Sequence, residues 1–116
     1  MSKRALITGV TGQDGAYLSK LLLQNDYEVY GLLARRGSDT LWRLRELGVD
    51  CDVRLIDGDL TDLASLIRAM ETSKADEVYN LGAQSFVGTS WQQPVLTAQV
   101  DAVGAVNVLE AVRIVL

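Results

Sequence analysis

A glycine-rich turn constrains this chain more strongly than any other feature of its sequence. The turn, GVTGQDG, follows the apolar, strand-like residues 5–7 and precedes a segment in which apolar residues recur at helical spacing up to Asn25. The order of strand, glycine turn and helix is typical of the first unit of a parallel sheet. We therefore expect the rest of the fold to be built on this unit.

Strand-like and helix-like segments alternate along the chain. Apolar patterning predicts three further strands, at residues 28–34, 53–56 and 77–81. Helical spacing predicts three further helices, at residues 42–47, at residues 63–70 and from Pro94 onward. This alternation with short connections indicates an α/β fold, in which helices cover both faces of a parallel sheet.

The fold class that this alternation indicates is a Rossmann-type doubly wound parallel sheet. With 116 residues, the chain forms one domain at most. Its last residues, VRIVL, are apolar apart from Arg113, and no glycine or polar cap follows the last helix. We therefore expect an incomplete sheet of about four strands, with residues 1–116 as the N-terminal portion of a larger domain.

The charge and the residue types of the chain argue against several partners and chemistries. The formal net charge is −4, so no overall positive field attracts nucleic acid or an anionic membrane. The absence of a long apolar run and of a signal-peptide pattern indicates a cytoplasmic protein. With one cysteine and no histidine, the chain has neither an intrachain disulfide nor a Cys/His metal site, and we expect no metal. We expect the cysteine, Cys51, to be half-buried and unreactive.

Three glycines give the turn the spacing G-x-x-G-x-x-G. Gly9 allows a tight exit from the strand, Gly12 lets the backbone approach a pyrophosphate, and Gly15 lets the helix lie close to the sheet. The N–H groups and the positive dipole end of the helix then bind the anion. A P-loop would end in G-K-[S/T], whereas this turn ends in Gln13, Asp14 and Gly15. Dinucleotide binding is therefore predicted rather than nucleotide hydrolysis.

Asp14 places an acid beside the predicted phosphate. Because backbone N–H groups hold the phosphate, the carboxylate is free to point away from it. In the first turn of the helix, its charge then interacts favourably with the helix dipole, by about 0.3–1 kcal/mol.

Two arginines follow the second predicted strand. A protein that prefers NAD usually places an acid there, on the ribose hydroxyls. Arg35 and Arg36 would instead attract the 2′-phosphate of NADP through bidentate, charge-assisted contacts. NADP is therefore the expected cofactor, although the nearby Asp39 leaves NAD open.

The ends of the third and fourth strands complete the predicted cofactor site. Asp59 could accept a hydrogen bond from the adenine amino group, and the backbone at Leu60 could border the base. Asp62 could instead cap the next helix. After the fourth strand, the small residues of LGAQS, residues 81–85, would let the nicotinamide ribose lie against the backbone.

The chain resembles the extended short-chain dehydrogenase/reductase family and, within it, the GDP-mannose 4,6-dehydratases. The resemblance rests on GVTGQDGAYL, LLARRGSDT, DGDLTD and EVYNLGAQSFVGTSWQQP, and it covers nearly the whole chain. TGQDG together with the arginine pair and NLGAQS is specific for this branch, because the wider family usually has a hydrophobic pair where Gln13 and Asp14 stand.

The resemblance implies an NADP-dependent lyase of nucleotide-sugar metabolism that acts on GDP-mannose. In such enzymes the cofactor oxidises C4 of the sugar, water is lost across C5 and C6, and the hydride returns to C6, which gives GDP-4-keto-6-deoxymannose. A homo-oligomer, dimer or tetramer, is also implied, with residues 35–43 contributing to an interface. The residues implied to hold NADP are Gly9, Val10, Thr11, Gly12, Gln13, Asp14, Gly15, Arg35, Arg36, Ser38, Asp59, Leu60, Leu81, Gly82, Ala83, Gln84 and Ser85.

No catalytic residue is predicted within this chain. The resemblance implies a catalytic Ser or Thr, an acid and a Tyr-x-x-x-Lys motif beyond the fourth helix, and Tyr17 and Lys20 have the wrong spacing for that motif. We therefore expect residues 1–116 alone to be inactive. Two alternatives stay open: a sister enzyme, such as a GDP-4-keto-6-deoxymannose reductase or another nucleotide-sugar dehydratase, and a non-catalytic nucleotide-binding module.

Overall fold

A computed structural model describes residues 2–33, 41–82 and 102–115 of the chain. Within these ranges, strands and helices alternate in the predicted order. The strands are β1 (Arg4–Thr8), β2 (Glu28–Leu33), β3 (Arg54–Asp57) and β4 (Glu77–Asn80). The helices are α1 (Gln13–Gln24), α2 (Trp42–Glu46), α3 (Leu63–Ser73) and α4 (Gly104–Val115).

The four strands form one parallel sheet with β1 in its interior. The strand order is β3-β2-β1-β4, which is the first part of the order typical of Rossmann folds. Ala5 of β1 lies opposite Val29 of β2 on one side and opposite Glu77 of β4 on the other. Because β1 has neighbours on both sides and helices on both faces, its residues from Ala5 to Thr8 are all buried.

Each face of the sheet carries its own hydrophobic cluster. On the face covered by α1 and α2, the buried residues are Ala5, Ile7, Val10, Ala16, Leu22, Val29, Leu44, Val49 and Val53. On the face covered by α3 and α4, they are Leu6, Tyr30, Leu32, Leu66, Ala69, Met70, Val108 and Ala111. This arrangement confirms the predicted doubly wound α/β fold.

Some element boundaries differ from the sequence-based expectations. β3 begins and ends one residue later than predicted, and β4 ends one residue earlier, at Asn80. Pro94, where the last helix was expected to begin, lies outside the described residues.

None of the helices in the described ranges is long and apolar enough to span a membrane.

The expectation that Cys51 is half-buried was wrong, because its side chain is exposed. Cys51 lies in the turn between α2 and β3. There the N–H groups of Asp52 and Val53 both donate to the Val49 carbonyl, at 3.0 Å. Val49 and Val53 supply the buried apolar side chains of this segment, and the intervening cysteine points to solvent.

At the amino end of the sheet, one carboxylate accepts hydrogen bonds from two tyrosines. The hydroxyl of Tyr27 donates to Oε2 of Glu77 at 3.1 Å, and that of Tyr79 donates to Oε1 at 3.0 Å. These bonds to the carboxylate, together with partial burial and the negative charge, raise the pKa of both tyrosine hydroxyls. The bond from Tyr27 joins the segment before β2 to the edge strand β4, whereas the bond from Tyr79 lies within β4.

Because of this tyrosine pair, the stability of the fold should fall as the pH rises in the alkaline range. The unfolded-state pKa is about 10, and the folded-state pKa values of Tyr27 and Tyr79 lie above the ordinary one. The stabilisation is therefore complete below about pH 10 and is lost as the pH rises through the folded-state values. We expect Glu77→Gln to lower both pKa values, as measured by the ultraviolet absorbance of ionised tyrosine.

Glu71→Gln is a matched control, since it removes one carboxylate from the exposed surface of α3. It should leave the tyrosine titration of the protein unchanged. Denaturant unfolding at several alkaline pH values should show a steeper loss of stability for the wild type than for Glu77→Gln. Identical titration curves for the wild type and Glu77→Gln would contradict the role of Glu77.

Candidate functional site

The turns that follow β1 and β4 meet at Gly9. Gly9 has a φ of 70°, in the left-handed region that favours glycine. A Cβ atom at this position would lie 2.7 Å from both the Gly82 nitrogen and the Leu81 carbonyl carbon. Two of the predicted cofactor segments, residues 9–15 and residues 81–82, are therefore in direct backbone contact.

Thr8 holds these two turns together. Its hydroxyl donates to Oδ1 of Asn80 at 2.5 Å and accepts from the N–H group of Gly82 at 3.0 Å. The N–H group of Leu81 donates in turn to the Thr8 carbonyl at 3.2 Å. Because Thr8 is only 1% exposed, water cannot readily replace these partners, and the end of β4 is fixed against β1.

Neither Thr8 nor Asn80 was singled out in the sequence. The available signal was that two strand-like runs, ALIT and EVYN, both end on a residue that can form hydrogen bonds. These end residues lie opposite each other in the register of β1 and β4. Such a pairing becomes visible only once the strand order is known.

Because Gly15 has no side chain, α1 can begin directly above the turn that follows β1. A Cβ atom on Gly15 would overlap the Gly9 carbonyl oxygen and would lie 2.8 Å from the Val10 Cα, so the obstacle would be backbone. Gly12 is the N-cap residue of α1, and no side chain caps this helix end. Since the first N–H groups of a helix have no partner within it, this end forms a backbone cradle that fits a pyrophosphate.

The side chains around this cradle differ in what they can contribute. Asp14 lies in the first turn of α1 with an exposed side chain, where the sequence placed it. Val10 has a fully buried side chain that packs in the cluster under α1. Val10 can therefore contribute only backbone atoms to a ligand.

The turn after β3 is held by local hydrogen bonds. Oδ1 of Asp59 accepts from both the N–H group and the hydroxyl of Thr61, at 2.9 and 2.8 Å. Asp62 occupies the N-cap position of α3, as expected, but its side chain makes no capping bond. Ser65 supplies the side-chain bonds here: its hydroxyl donates to the Asp62 carbonyl at 2.8 Å and accepts from the Asp59 N–H group at 3.0 Å.

Leu60 brings this third turn to the other two. A Cβ atom on Gly82 would lie 2.7 Å from Cδ1 of Leu60, so the leucine side chain borders the turn after β4. The Leu60 carbonyl accepts a hydrogen bond of 2.8 Å from Nδ2 of Asn107 on α4. Asn107 was not predicted, because nothing in its local spacing separates it from other polar residues of the helix.

The structure thus gathers three predicted segments at the carboxyl edge of the sheet, where ligands of such sheets bind. No three His, Cys, Asp or Glu side chains in the described part of the chain could hold a metal ion. The remaining predicted residues lie outside the described ranges: Arg35, Arg36, Ser38, Ala83, Gln84 and Ser85.

The chain is similar to known proteins over nearly its whole length. A family model described as GDP-mannose 4,6 dehydratase matches residues 6–116. A GDP-mannose 4,6-dehydratase from Vibrio cholerae is 49% identical over 98% of this chain, and a GDP-mannose 4,6 dehydratase from Homo sapiens is 43% identical over 94%. The chain covers 32% and 31% of the length of these two relatives, so it spans about a third of each.

Solved structures share the fold. An epimerase from Methanothermobacter thermautotrophicus superposes with a TM-score of 0.83 at 26% identity, covering 98% of this chain and 32% of that one. A UDP-glucose 4-epimerase from Thermus thermophilus, in complex with NAD, superposes with a TM-score of 0.80 at 32% identity. This superposition covers 95% of the present chain and 33% of the epimerase chain.

The close approach at Gly9 can be separated from its backbone conformation. Gly48 also has a positive φ, of 73°, but a Cβ atom there would meet nothing within 4 Å. Gly48→Ala should cost only the conformational term, about 1–2 kcal/mol. Gly9→Ala should cost about 1–3 kcal/mol more, because the backbone of Leu81 and Gly82 must move.

Denaturant unfolding and dinucleotide titration of both variants check this prediction. Gly9→Ala should also weaken dinucleotide binding, whereas Gly48→Ala, between α2 and β3, should leave it unchanged. Equal losses of unfolding free energy in the two variants would show that the contact at Gly9 carries no cost of its own.

Proposed function

The chain belongs to the GDP-mannose 4,6-dehydratase family, and we propose that it forms the NADP-binding part of an enzyme that converts GDP-mannose to GDP-4-keto-6-deoxymannose. The observation that carries the proposal is the backbone cradle at the start of α1, built by Gly9 and Gly15. Residues 1–116 are then the N-terminal portion of a Rossmann domain. The catalytic residues belong to another part of the protein.

The residues of the cradle bind and orient the pyrophosphate. The N–H groups and the positive dipole end of α1 attract its negative charge. Because Gly15 has no Cβ atom, the end of α1 lies directly against the backbone of Gly9 and Val10, which limits the directions that its N–H groups can take. NADP, when bound, supplies hydride transfer, from C4 of the sugar and back to C6.

The turn after β3 is suited to the adenine ring. Thr61 binds Oδ1 of Asp59, and Oδ2 is the oxygen that would accept a hydrogen bond from the adenine amino group. Asn107 holds the Leu60 carbonyl, which keeps this backbone in place beside the base. The sequence predicts that residues 81–85 border the nicotinamide ribose, and of these the structure describes Leu81 and Gly82.

The preference for NADP rests on the sequence. Arg35, Arg36 and Ser38 follow β2 at the distance from the cradle where the adenosine ribose is recognised. Guanidinium groups favour a 2′-phosphate over free ribose hydroxyls. A related fold in complex with NAD shows only that a dinucleotide suits this architecture.

Two further proposals concern the whole protein. A homo-oligomer, dimer or tetramer, is proposed from the resemblance alone. The cytoplasmic location inferred from composition stays a prediction.

An assay of the full-length protein with NADP and GDP-mannose tests the proposed activity. We expect a product that is lighter by one water and carries a ketone at C4, detected by mass spectrometry before and after reduction with borodeuteride. Residues 1–116 alone should give no product. Unchanged GDP-mannose would contradict the proposal, and NADPH-dependent reduction of the 4-keto sugar instead would identify the sister reductase.

Arg35→Ala tests the cofactor preference. Loss of a charge-assisted contact typically costs about 1.5–3 kcal/mol, so NADP affinity should fall on the order of 10- to 100-fold. NAD affinity should change much less, because NAD has no 2′-phosphate. Arg68→Ala, on the exposed surface of α3, removes the same charge as a control. Equal losses for the two dinucleotides would exclude a contact with the 2′-phosphate.

A further inference from the structure

Arg43 contacts the phosphate-binding turn from a separate element. Its Nη1 donates to the Thr11 carbonyl at 3.2 Å, across 32 residues of sequence. The guanidinium also lies over the Trp42 ring, with its central carbon 4.4 Å from the ring centroid. This stacking helps to hold the planar guanidinium in one orientation.

The contact holds one peptide group of the turn at both ends. The peptide group between Thr11 and Gly12 has its carbonyl bound by Arg43, and its N–H group donates to the Gly9 carbonyl at 3.1 Å. A planar peptide group held in this way cannot rotate without losing a hydrogen bond. The next N–H group along the chain is that of Gln13, the first residue of α1. Its direction therefore depends on this peptide group.

The helix that carries Arg43 is held in place by contacts that do not involve Arg43 itself. Leu44 is fully buried in the cluster under α1, and its carbonyl accepts from the Val49 N–H group at 3.0 Å. α2 can therefore act as a fixed support from which Arg43 reaches the turn.

We propose that Arg43 is a positioning residue, which orients the phosphate-binding turn through the Thr11 carbonyl and thereby strengthens binding of the cofactor pyrophosphate. The inference rests on the proposed function, because it requires a dinucleotide in the cradle. Since NADP and NAD share the pyrophosphate, Arg43 acts equally on both. This separates Arg43 from Arg35, whose proposed partner is the 2′-phosphate of NADP alone.

Dinucleotide titrations of Arg43→Met in the full-length protein test this inference. The dissociation constants for NADP and NAD should both rise by the same factor, on the order of tenfold, as expected for one lost hydrogen bond from a charged group. Arg43→Lys retains a donor for the Thr11 carbonyl and should recover part of the affinity. Arg68→Met, on the exposed surface of α3, should bind both dinucleotides like the wild type.

Amide hydrogen exchange without cofactor separates positioning from general destabilisation. In Arg43→Met, the Gly12 amide should exchange faster, while amides of the buried strand β1 should keep their protection. Loss of protection throughout the sheet would make Arg43 a structural residue and overturn the inference.

The titrations distinguish failure of this inference from failure of the proposed function. A larger loss for NADP than for NAD would show a direct contact with the 2′-phosphate and would overturn the positioning role. Unchanged affinities in Arg43→Met, with normal binding by the wild type, would overturn the inference alone. A wild-type protein that binds neither dinucleotide would refute the proposed function and this inference with it.

Discussion

The close backbone approach at Gly9 is the constraint on which the candidate site depends. Because Gly9 has no side chain, the turn after β4 lies against the turn after β1, and the Thr8 hydroxyl can reach both Asn80 and Gly82. The missing Cβ atom of Gly15 then lets α1 begin directly above the same backbone. The cradle thus results from absent side chains, which leave space, and from one buried hydroxyl, which holds the surrounding backbone in place.

Features with a regular spacing were predicted well from the sequence. The apolar patterns located all four described strands to within a few residues, and the glycine spacing placed the start of α1 and the exposed Asp14. Both kinds of signal are local: a period of two or of 3.6 residues, or a backbone conformation that only glycine adopts readily. For the same reason, they say little about which turns meet in space.

Long-range polar contacts were not predicted. The bonds made by Thr8, Arg43 and Asn107 join residues that are 72, 32 and 47 positions apart. Each is made by a single side chain whose neighbours in sequence give no sign of its partner. Asp62 is a residue whose position was predicted but whose bond was not formed. It occupies the N-cap position of α3 without a capping bond, and the hydroxyl of Ser65 instead donates to the Asp62 carbonyl. The assignments of Arg35, Arg36, Ser38 and residues 83–85 rest on motif and resemblance and stay predictions.

The interior position of β1 also affects how the chain folds while it is being synthesised. Of the four described strands, β1 leaves the ribosome first; its partner β2 follows about 24 residues later, whereas β4 follows about 72 residues later. Closing the longer loop costs about 1 kcal/mol more chain entropy than closing the shorter one. Until β4 emerges, one side of an apolar strand has unpaired backbone groups, which can pair with another nascent chain. The segment between β2 and β4 therefore determines how long this side of β1 stays unpaired during translation.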